Sequence, residues 1–261
     1  MKFHDAHCHI SRKSFLKEFD ISSSMEEWRE IGLEYVIGVS TKLSDSKEIV
    51  EMQNSYKEII PGIGIHPWSA KKPLTEEIKS QFLNLAKLCD VLVIGEIGLD
   101  YHFIRKEDRY PHQVETFEFF LELAEKNKYP VNIHLKGAEK EGAEILGSYK
   151  FSSNNVLIHW YSGPEDVLKK FIDRGYFFSI NPSILSGSPH IQILKDVPYE
   201  RILTESDGDV NYLINGEKII GSPGIIPETL KKISIIKKET VEEVAFQLQA
   251  NLRKYVNKLQ R

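Results

Sequence analysis

The sequence of 261 residues has few cysteines, no long hydrophobic run and no surplus of basic residues. Its two cysteines, Cys8 and Cys89, are too few for a disulfide framework and match no cysteine-based zinc spacing, so a reducing compartment, the cytoplasm, is expected. Because no apolar run has the length of a membrane span and no signal-peptide pattern is present, no membrane association is expected. The net charge of −4 excludes nucleic-acid binding through a global basic surplus, so any such affinity must be local.

A Gly-rich phosphate loop after the first strand is also missing, which disfavours an open doubly wound sheet, the main alternative fold. Instead, short β-rich runs alternate with helical patterns. The expected strands are residues 3–9, 35–40, 59–65, 91–97, 130–135, 155–160, 176–181 and 201–206. The expected helices between them are residues 24–31, 44–58, 75–88, 108–127, 138–149, 164–174 and 189–195. This order predicts one (β/α)8 TIM-type barrel domain over residues 1–261, with C-terminal helices packed on the barrel.

Residues 208–226 form the longest stretch without a regular pattern and follow the last expected strand. They are expected to be an irregular loop on the face where barrels carry their active sites.

The stretch FHDAHCHI, residues 3–10, contains three histidines and one aspartate. In a regular strand, Asp5, His7 and His9 share one face, and the side chains between them share the other. A hydrogen-bonded pair of core histidines and the first half of a metal site both fit this pattern. The rest of the sequence has to decide between them.

Ionisable residues recur at the C-terminal ends of the expected strands, which in a barrel converge on one open mouth. These residues are His7 and His9 on the first strand, His66 on the third, Glu96 on the fourth, His134 on the fifth, His159 on the sixth and Asp207 on the eighth. A single histidine at a strand end is usually a packing residue. Seven such residues at one mouth predict a metal site.

Even without His66, six nitrogen and oxygen donors exceed what one tetrahedral ion requires, which predicts two divalent ions. One ion suits His7, His9 and Asp207, and the other suits His134 and His159. Glu96 could place one oxygen on each ion. Mixed imidazole and carboxylate ligands without thiolate favour Zn, Mn, Co or, less readily, Mg.

Six short motifs in this order resemble the TatD family of metal-dependent deoxyribonucleases within the amidohydrolase-like barrels. The motifs are HDAHCH at 4–9, GIHP at 64–67, GEIGLDY at 95–101, PVNIHLK at 130–136, HWYSG at 159–163 and TESD at 204–207. The resemblance implies metal-dependent, exonucleolytic hydrolysis of DNA phosphodiester bonds, and it places the same six residues at ligand positions. Some relatives deacylate D-aminoacyl-tRNA, so an amide or ester hydrolase is the alternative. A barrel with purely structural metals is a third hypothesis.

The resemblance has two departures near the expected site. Lys136 stands where the family usually has arginine, which keeps the charge but loses the bidentate fork. Gly208 and Asp209 follow the last-strand aspartate, where the family commonly has a small residue and proline. The extra carboxylate of Asp209 could repel a phosphate.

Roles follow for the residues around the ions. Asp207 is expected to orient the nucleophile and accept its proton, with Glu96 and His66 as further catalytic groups. His66 and Lys136 are expected to stabilise phosphoryl charge, although a turn residue before Pro67 and a solvated lysine fit equally.

The substrate is expected to be DNA at single-stranded ends. Tyr101, His102, Trp160 and Tyr161 could stack on its bases, although packing roles fit as well. Asp100 is expected to order its loop as a hydrogen-bond acceptor.

Overall fold

The computed structural model describes residues 1–259, and its centre is a ring of eight parallel strands. Each strand pairs with the next one along the chain, in the order β1 to β8. The strands are β1 Phe3–Cys8, β2 Leu33–Val39, β3 Ile59–Ile63, β4 Val93–Asp100, β5 Val131–Lys136, β6 Val156–Ile158, β7 Phe177–Ile180 and β8 Ile202–Thr204. The predicted (β/α)8 barrel is confirmed, and the open doubly wound alternative is wrong.

Backbone hydrogen bonds join the end of β1 to the segment that follows β8. The amide of Asp207 donates to the carbonyl of His7 at 2.9 Å, and the amide of His9 donates to the carbonyl of Gly208 at 2.7 Å. These bonds help to close the barrel on its C-terminal side. They also hold two histidines of the first strand against an aspartate from the far end of the sequence.

Helices connect the strands and cover the outside of the ring. They are α1 Phe15–Glu18, α2 Ile21–Ile31, α3 Leu43–Met52, α4 Glu76–Ala86, α5 Tyr110–Asn127, α6 Glu139–Gly147, α7 Glu165–Asp173, α8 His190–Asp196, α9 Ile226–Lys237 and α10 Val241–Tyr255. All seven predicted helices are present. Within residues 1–259, no helix combines the length and the apolar character that crossing a membrane would require.

The helix predicted at 44–58 is too long, because α3 ends at Met52. Its last turn tightens: the amide of Asn54 donates to the carbonyl of Glu51, and the amide of Ser55 donates to the carbonyl of Met52. Asn and Ser favour turns over helix interiors, which explains the early end.

A buried apolar cluster inside the ring contains residues from seven of the eight strands. Val93 and Phe177, the first residues of β4 and β7, belong to it together with Leu252 and Tyr255 of α10. The C-terminal helix therefore packs against the N-terminal end of the barrel. The opposite, C-terminal end remains available for a site.

β1 contains a bulge. Asp5 pairs with Val36, whereas Cys8 pairs with Gly38, so three residue steps along β1 oppose two along β2. The regular alternation predicted for residues 3–9 is therefore wrong. A bulge lets side chains at odd-numbered and even-numbered positions face the same side of a sheet.

A second bulge lies in β4. Ile94 and Ile97 are three residues apart but pair with residues of β5 that are only two apart. Glu96 lies within this bulge, and its amide donates to the carbonyl of Ser40 at 3.1 Å. The fourth strand therefore does not end near Glu96, as predicted, but continues to Asp100.

Residues 208–226 are not simply an irregular loop, because they contain a hairpin of two antiparallel strands, β9 Asn211–Ile214 and β10 Glu217–Ile220. Asn215 and Gly216 form its turn with φ angles of 51° and 86°. Both angles are positive, as the favoured two-residue hairpin turn requires. The Asn-Gly pair was the sequence signal for this hairpin, and the prediction of an irregular stretch missed it.

Candidate metal centre

The six predicted ligands lie together at the C-terminal mouth of the barrel. Five of them are buried, and His134 is partly exposed. They are His7, His9, Glu96, His134, His159 and Asp207. Folding thus gathers nitrogen and oxygen donors that are as much as 200 positions apart in the sequence.

The first group of donors surrounds one point at the end of β1. The Nε2 atoms of His7 and His9 lie 3.7 and 3.3 Å from Oε2 of Glu96, and each lies 3.5 Å from Oδ1 of Asp207. Two donors each about 2.1 Å from a tetrahedral ion would be about 3.4 Å apart. These distances exceed those of ordinary hydrogen bonds and match the spacing around one cation.

The second group uses the other oxygen of the same carboxylate. Oε1 of Glu96 lies 2.9 Å from Nδ1 of His134 and 3.1 Å from Nε2 of His159. The two imidazole nitrogens are 3.4 Å apart. Glu96 therefore faces one group of donors with each of its oxygens.

Two atoms of the first group show that a positive ion fits there. Nε2 of His7 and Oε2 of Glu96 are buried and have no hydrogen-bond partner within the described part of the chain. Buried polar atoms of proteins are nearly always paired, and an unpaired one is costly. A cation between these donors would satisfy both, so the residues present fit a metal.

The protonation states of the site also suit metal binding. Burial raises the pKa of Glu96, but the imidazoles of His66, His7 and His159 around it outweigh this and hold it well below its usual value. Burial likewise raises the pKa of Asp207, but the adjacent imidazole of His7 outweighs this and brings it down to about 2. Burial lowers the pKa of His9 to about 4. At neutral pH both acids are therefore ionised and His9 is neutral, as ligands must be.

Asn132 on β5 sets the orientation of the His7 ring. Its side-chain amide donates to the carbonyl of Ala6 at 3.0 Å, so its oxygen faces Nδ1 of His7 at 2.9 Å. That oxygen requires a proton on Nδ1, which leaves the lone pair of Nε2 directed at the first group. Asn132 is not among the site residues predicted from the sequence.

Carboxylates orient the two histidines of the second group in the same way. Nε2 of His134 lies 3.1 Å from Oδ2 of Asp100, and Nδ1 of His159 lies 3.3 Å from Oε2 of Glu205. In each ring the nitrogen facing Glu96 is therefore the one that can bind a cation once it is deprotonated. Asp100 also orders its loop, as predicted, by accepting hydrogen bonds from the next residues.

The roles of Asn132 and Glu205 had a signal in the sequence. Each lies two positions before a predicted ligand, His134 and Asp207 respectively. Residues two apart in a strand share a face, so both were placed to point towards the same mouth.

His66 also lies beside the second group, but its proton is on the ring nitrogen that faces Glu96. Its Nδ1 accepts a hydrogen bond from the backbone amide of Trp68 at 3.1 Å, so Nε2 bears the proton, 3.3 Å from Oε1 of Glu96. His66, Glu96 and His134 are close enough to share an ion. The proton on Nε2 nevertheless makes His66 a hydrogen-bond donor in this geometry, and its carbonyl also forms a turn with the amide of Ser69.

Two residues at the mouth have a left-handed backbone, Trp160 with φ 38° and Asp207 with φ 45°. This conformation costs residues other than glycine about 1–3 kcal/mol and concentrates at functional sites. Hydrogen bonds hold both in place: the amide of Trp160 donates to Oγ of Ser179 at 3.1 Å, and the amide of Asp207 donates to His7.

The donor groups open into a cavity of about 630 Å³. His66, Trp160 and Lys136 are among the residues that line it. Its lining also carries a concentration of positive charge that the overall composition hides. The cationic residues of the lining are Arg12, Lys13, Lys42, Lys71 and Lys136. Against three acids of the same lining, Asp45, Glu96 and Asp207, these five cations leave a local positive balance although the whole chain carries a charge of −4.

The profile of the family described as TatD related DNase matches residues 4–257. The chain belongs to the TatD family. This TatD-family protein is 27% identical over 257 residues to an uncharacterized metal-dependent hydrolase of Methanocaldococcus jannaschii, with 98% of this chain and 97% of that protein covered. It is 25% identical over 252 residues to the human protein named deoxyribonuclease TATDN3, with 92% and 89% covered.

Solved structures show the same fold. The TatD-family chain superposes on YJJV, a TatD homolog from Escherichia coli K12, with a TM-score of 0.86 over 98% of both chains at 20% identity. A TatD-family hydrolase from Entamoeba histolytica matches with a TM-score of 0.82 at 19% identity, again over 98% of both chains. The resemblance read from the six motifs is confirmed.

The TatD-family chain neutralises the extra acid that follows Asp207. Nη1 of Arg12 lies 3.0 Å from Oδ1 of Asp209. The negative charge that could repel a phosphate is thus paired with a cation that lines the cavity.

Not all predicted aromatic contacts reach this cavity. Trp160 lines it and stacks on Tyr212 of the hairpin, with 5.9 Å between ring centroids. Tyr101 instead stacks on Tyr110 at 3.7 Å, Tyr161 is buried, and neither they nor His102 contribute to the cavity lining. The other large aromatic side chains of the lining within residues 1–259 are Trp68 and Phe103, which the sequence analysis missed.

Proposed function

We propose that this TatD-family metal-dependent hydrolase cleaves DNA phosphodiester bonds exonucleolytically at single-stranded ends, using two divalent cations. The observation that carries the proposal is the position of Glu96, whose two oxygens face two separate groups of donors. The cationic cavity supports a polyanionic substrate. The family description and the name of the human relative support DNA as that substrate.

His7, His9 and Asp207 would hold one cation, His134 and His159 the other, and Glu96 both. The donor set favours Zn, Mn or Co, and less readily Mg. When bound, such ions supply a water activated as a nucleophile and positive charge for phosphoryl oxygens.

The protein's own residues then perform the remaining steps. Asp207 orients the attacking water through its carboxylate and accepts a proton from it, while the bond from phosphorus to the leaving oxygen breaks and that oxygen takes up a proton from solvent. His66, with its proton on Nε2, donates a hydrogen bond to a phosphoryl oxygen, and Lys136 adds positive charge. Lys136 also donates to Oγ of Ser162, which fixes its position at the mouth.

We also propose that the protein is located in the cytoplasm. Cys8 and Cys89 are both buried free thiols, as a reducing compartment allows. Recovery of the activity in a membrane or secreted fraction instead of the cytosol would contradict this assignment.

The proposed function is tested by incubating metal-loaded protein with end-labelled single- and double-stranded DNA and, separately, with D-aminoacyl-tRNA. We expect mononucleotides to be released from single-stranded ends, with loss of release after chelation and recovery on metal addition. Asp207→Asn should abolish release. Asp90→Asn, at an exposed acid lining a separate cavity, should leave it unchanged.

Three results would overturn the proposal. They are deacylation without nucleotide release, nucleotide release that survives chelation, and full activity of Asp207→Asn. The last result would instead indicate metals with a purely structural role.

A further inference from the structure

Two exposed aromatic rings meet at the rim of the cavity. Trp68 follows β3 and is 43% exposed, and Phe103 follows β4 and is 60% exposed. Their ring centroids are 5.8 Å apart and their planes meet at 80°. We call this pair the aromatic corner. Since most large aromatic side chains are extensively buried, a pair of exposed rings facing a cavity requires an explanation.

Polar contacts fix the aromatic corner although the rings are exposed. The indole Nε1 of Trp68 donates to Oδ2 of Asp100 at 2.6 Å, and the amide of Phe103 donates to Oδ1 of the same carboxylate at 2.8 Å. Arg109 donates from Nη2 to the carbonyl of Trp68 at 2.7 Å. One carboxylate thus holds both elements of the corner. Because these contacts already fix the two side chains, binding of a ligand there would cost little further conformational entropy of the protein.

The aromatic corner adjoins the metal centre. The ring of Trp68 lies edge-on to the ring of His66, with 4.8 Å between centroids, and Nε2 of His66 is 3.3 Å from Glu96. Asp100 extends this connection, because the oxygen that accepts from Trp68 also faces His134 at 3.1 Å. A planar group in the corner would therefore be next to a phosphate bound at the centre.

The surroundings indicate what the planar group is. Lys71, Lys136 and Arg12 line the same cavity as the two rings. Flat apolar surfaces combined with cations are the means by which proteins hold single-stranded nucleic acid, with bases on the rings and phosphates on the cations. A base within a duplex is already paired and stacked, so it is not free to enter such a corner.

We propose that the aromatic corner of Trp68 and Phe103 binds the unpaired base of the terminal nucleotide, and that this contact makes the enzyme select single-stranded ends. The inference rests on the proposed nuclease function and adds the feature of the substrate that is recognised. It assigns base stacking to Trp68 and Phe103 instead of Tyr101 and His102.

Phe103 is the position at which to test the proposal, because removing the Trp68 ring would also disturb Asp100. The probes are an oligothymidylate and the same oligonucleotide with abasic tetrahydrofuran residues at both ends. For each, kcat/KM is measured with metal-loaded protein, and Kd is measured by fluorescence anisotropy in the presence of chelator. Phe246→Ala is the matched control, because Phe246 is 79% exposed on α10 and lies outside the cavity lining.

We expect Phe103→Ala to weaken binding and lower kcat/KM about tenfold for the base-bearing oligonucleotide, as the loss of one stacked base implies. For the abasic oligonucleotide, Kd and kcat/KM should change less than about twofold, since its ends carry no base that could stack on the ring. Phe103→Trp should restore wild-type values. Phe246→Ala should leave both oligonucleotides unaffected.

The experiment distinguishes failure of the proposed function from failure of the role assigned to the aromatic corner. If metal-loaded wild-type protein hydrolyses neither oligonucleotide, the proposed function is contradicted. If it hydrolyses both but Phe103→Ala affects them equally, or affects neither, only the role of the aromatic corner is overturned.

Discussion

Nδ1 of His7 lies 2.9 Å from the side-chain oxygen of Asn132, which is 125 positions later in the chain. Because the amide nitrogen of Asn132 donates to Ala6, the oxygen has a single orientation towards the ring. The consequence is that Nδ1 carries the proton of the neutral ring, and Nε2, directed at Glu96 and Asp207, is the nitrogen that can bind a cation. A neutral amide outside the donor group thus determines which nitrogen can bind a cation.

We expect Asn132→Leu to lower metal affinity about 10- to 100-fold, as is typical when the partner of a metal-binding histidine is lost. Asn132→Asp retains a hydrogen-bond acceptor for His7 and should lose much less metal affinity. Titration of metal-free protein with Zn²⁺ against a chromophoric chelator measures both. Equal affinities for Asn132→Leu and the wild type would show that the orientation of His7 does not depend on this amide.

Glu205 should act on only one of the two donor groups, because its oxygens face Nδ1 of His159. Replacement by alanine should weaken one of two binding events about 10-fold or more and leave the other within about twofold. A two-site calorimetric titration separates the events. Glu200→Gln, at an exposed position in the 3-10 turn Tyr199–Arg201 just before β8, serves as the control and should change neither. Equal weakening of both binding events would contradict the claim that Glu205 acts on only one donor group.

The ion pair of Arg12 with Asp209 sets the charge of the mouth. Arg12→Ala leaves the Asp209 carboxylate unpaired, so KM for DNA should rise about tenfold at low salt and less at high salt, where charges are screened. Asp209→Asn releases Arg12 towards the substrate and should lower KM. Steady-state kinetics at two ionic strengths tests both variants. A rise in KM for both would mean that the pair is needed intact.

Glu58 provides a test of stability outside the site. Arg29 donates to both of its oxygens, at 2.8 and 2.9 Å. Burial raises the pKa of Glu58, but the hydrogen bonds of Arg29 outweigh this and lower it below its ordinary value of 4.5. The stabilisation is therefore fully present above pH 4.5 and is lost as the pH falls through the lower pKa of the folded state.

Accordingly, Glu58→Gln should lower the free energy of unfolding by about 1 kcal/mol at neutral pH, a modest value because Arg29 is partly exposed. The difference from the wild type should shrink as the medium becomes more acidic than pH 4.5. Urea denaturation across this range measures it. Glu76→Gln, which breaks an exposed pair with Lys79, should have almost no effect at any pH. A difference for Glu58→Gln that grows in acid would contradict the assignment.

The sequence predicted the barrel because its signals are local and repeated. Each strand-helix unit carries its own pattern, and the C-terminal ends of parallel strands must meet at one mouth. The position of ligands such as His134 and His159 could therefore be predicted before their distances were known. The donors near Glu96 are close together as a direct result of this topology.

Other features depend on tertiary contacts that no local pattern reports. The bulges of β1 and β4 arise from the register between neighbouring strands, so the regular alternation predicted around Asp5 was wrong, and β4 continues beyond the end predicted near Glu96. Tyr101 looked available for stacking but packs on Tyr110, a helical residue nine positions later. The hairpin turn at Asn215 is different, because its Asn-Gly signal was present and could have been used.

The number of metal ions bound per chain tests the shared role of Glu96 most directly, measured by elemental analysis and calorimetric titration of wild type and Glu96→Ala. We predict two ions per wild-type chain and a large loss of affinity at both sites in Glu96→Ala, because one carboxylate faces both groups of donors. A wild-type chain that binds fewer than two ions, or a variant that retains both with unchanged affinity, would contradict it.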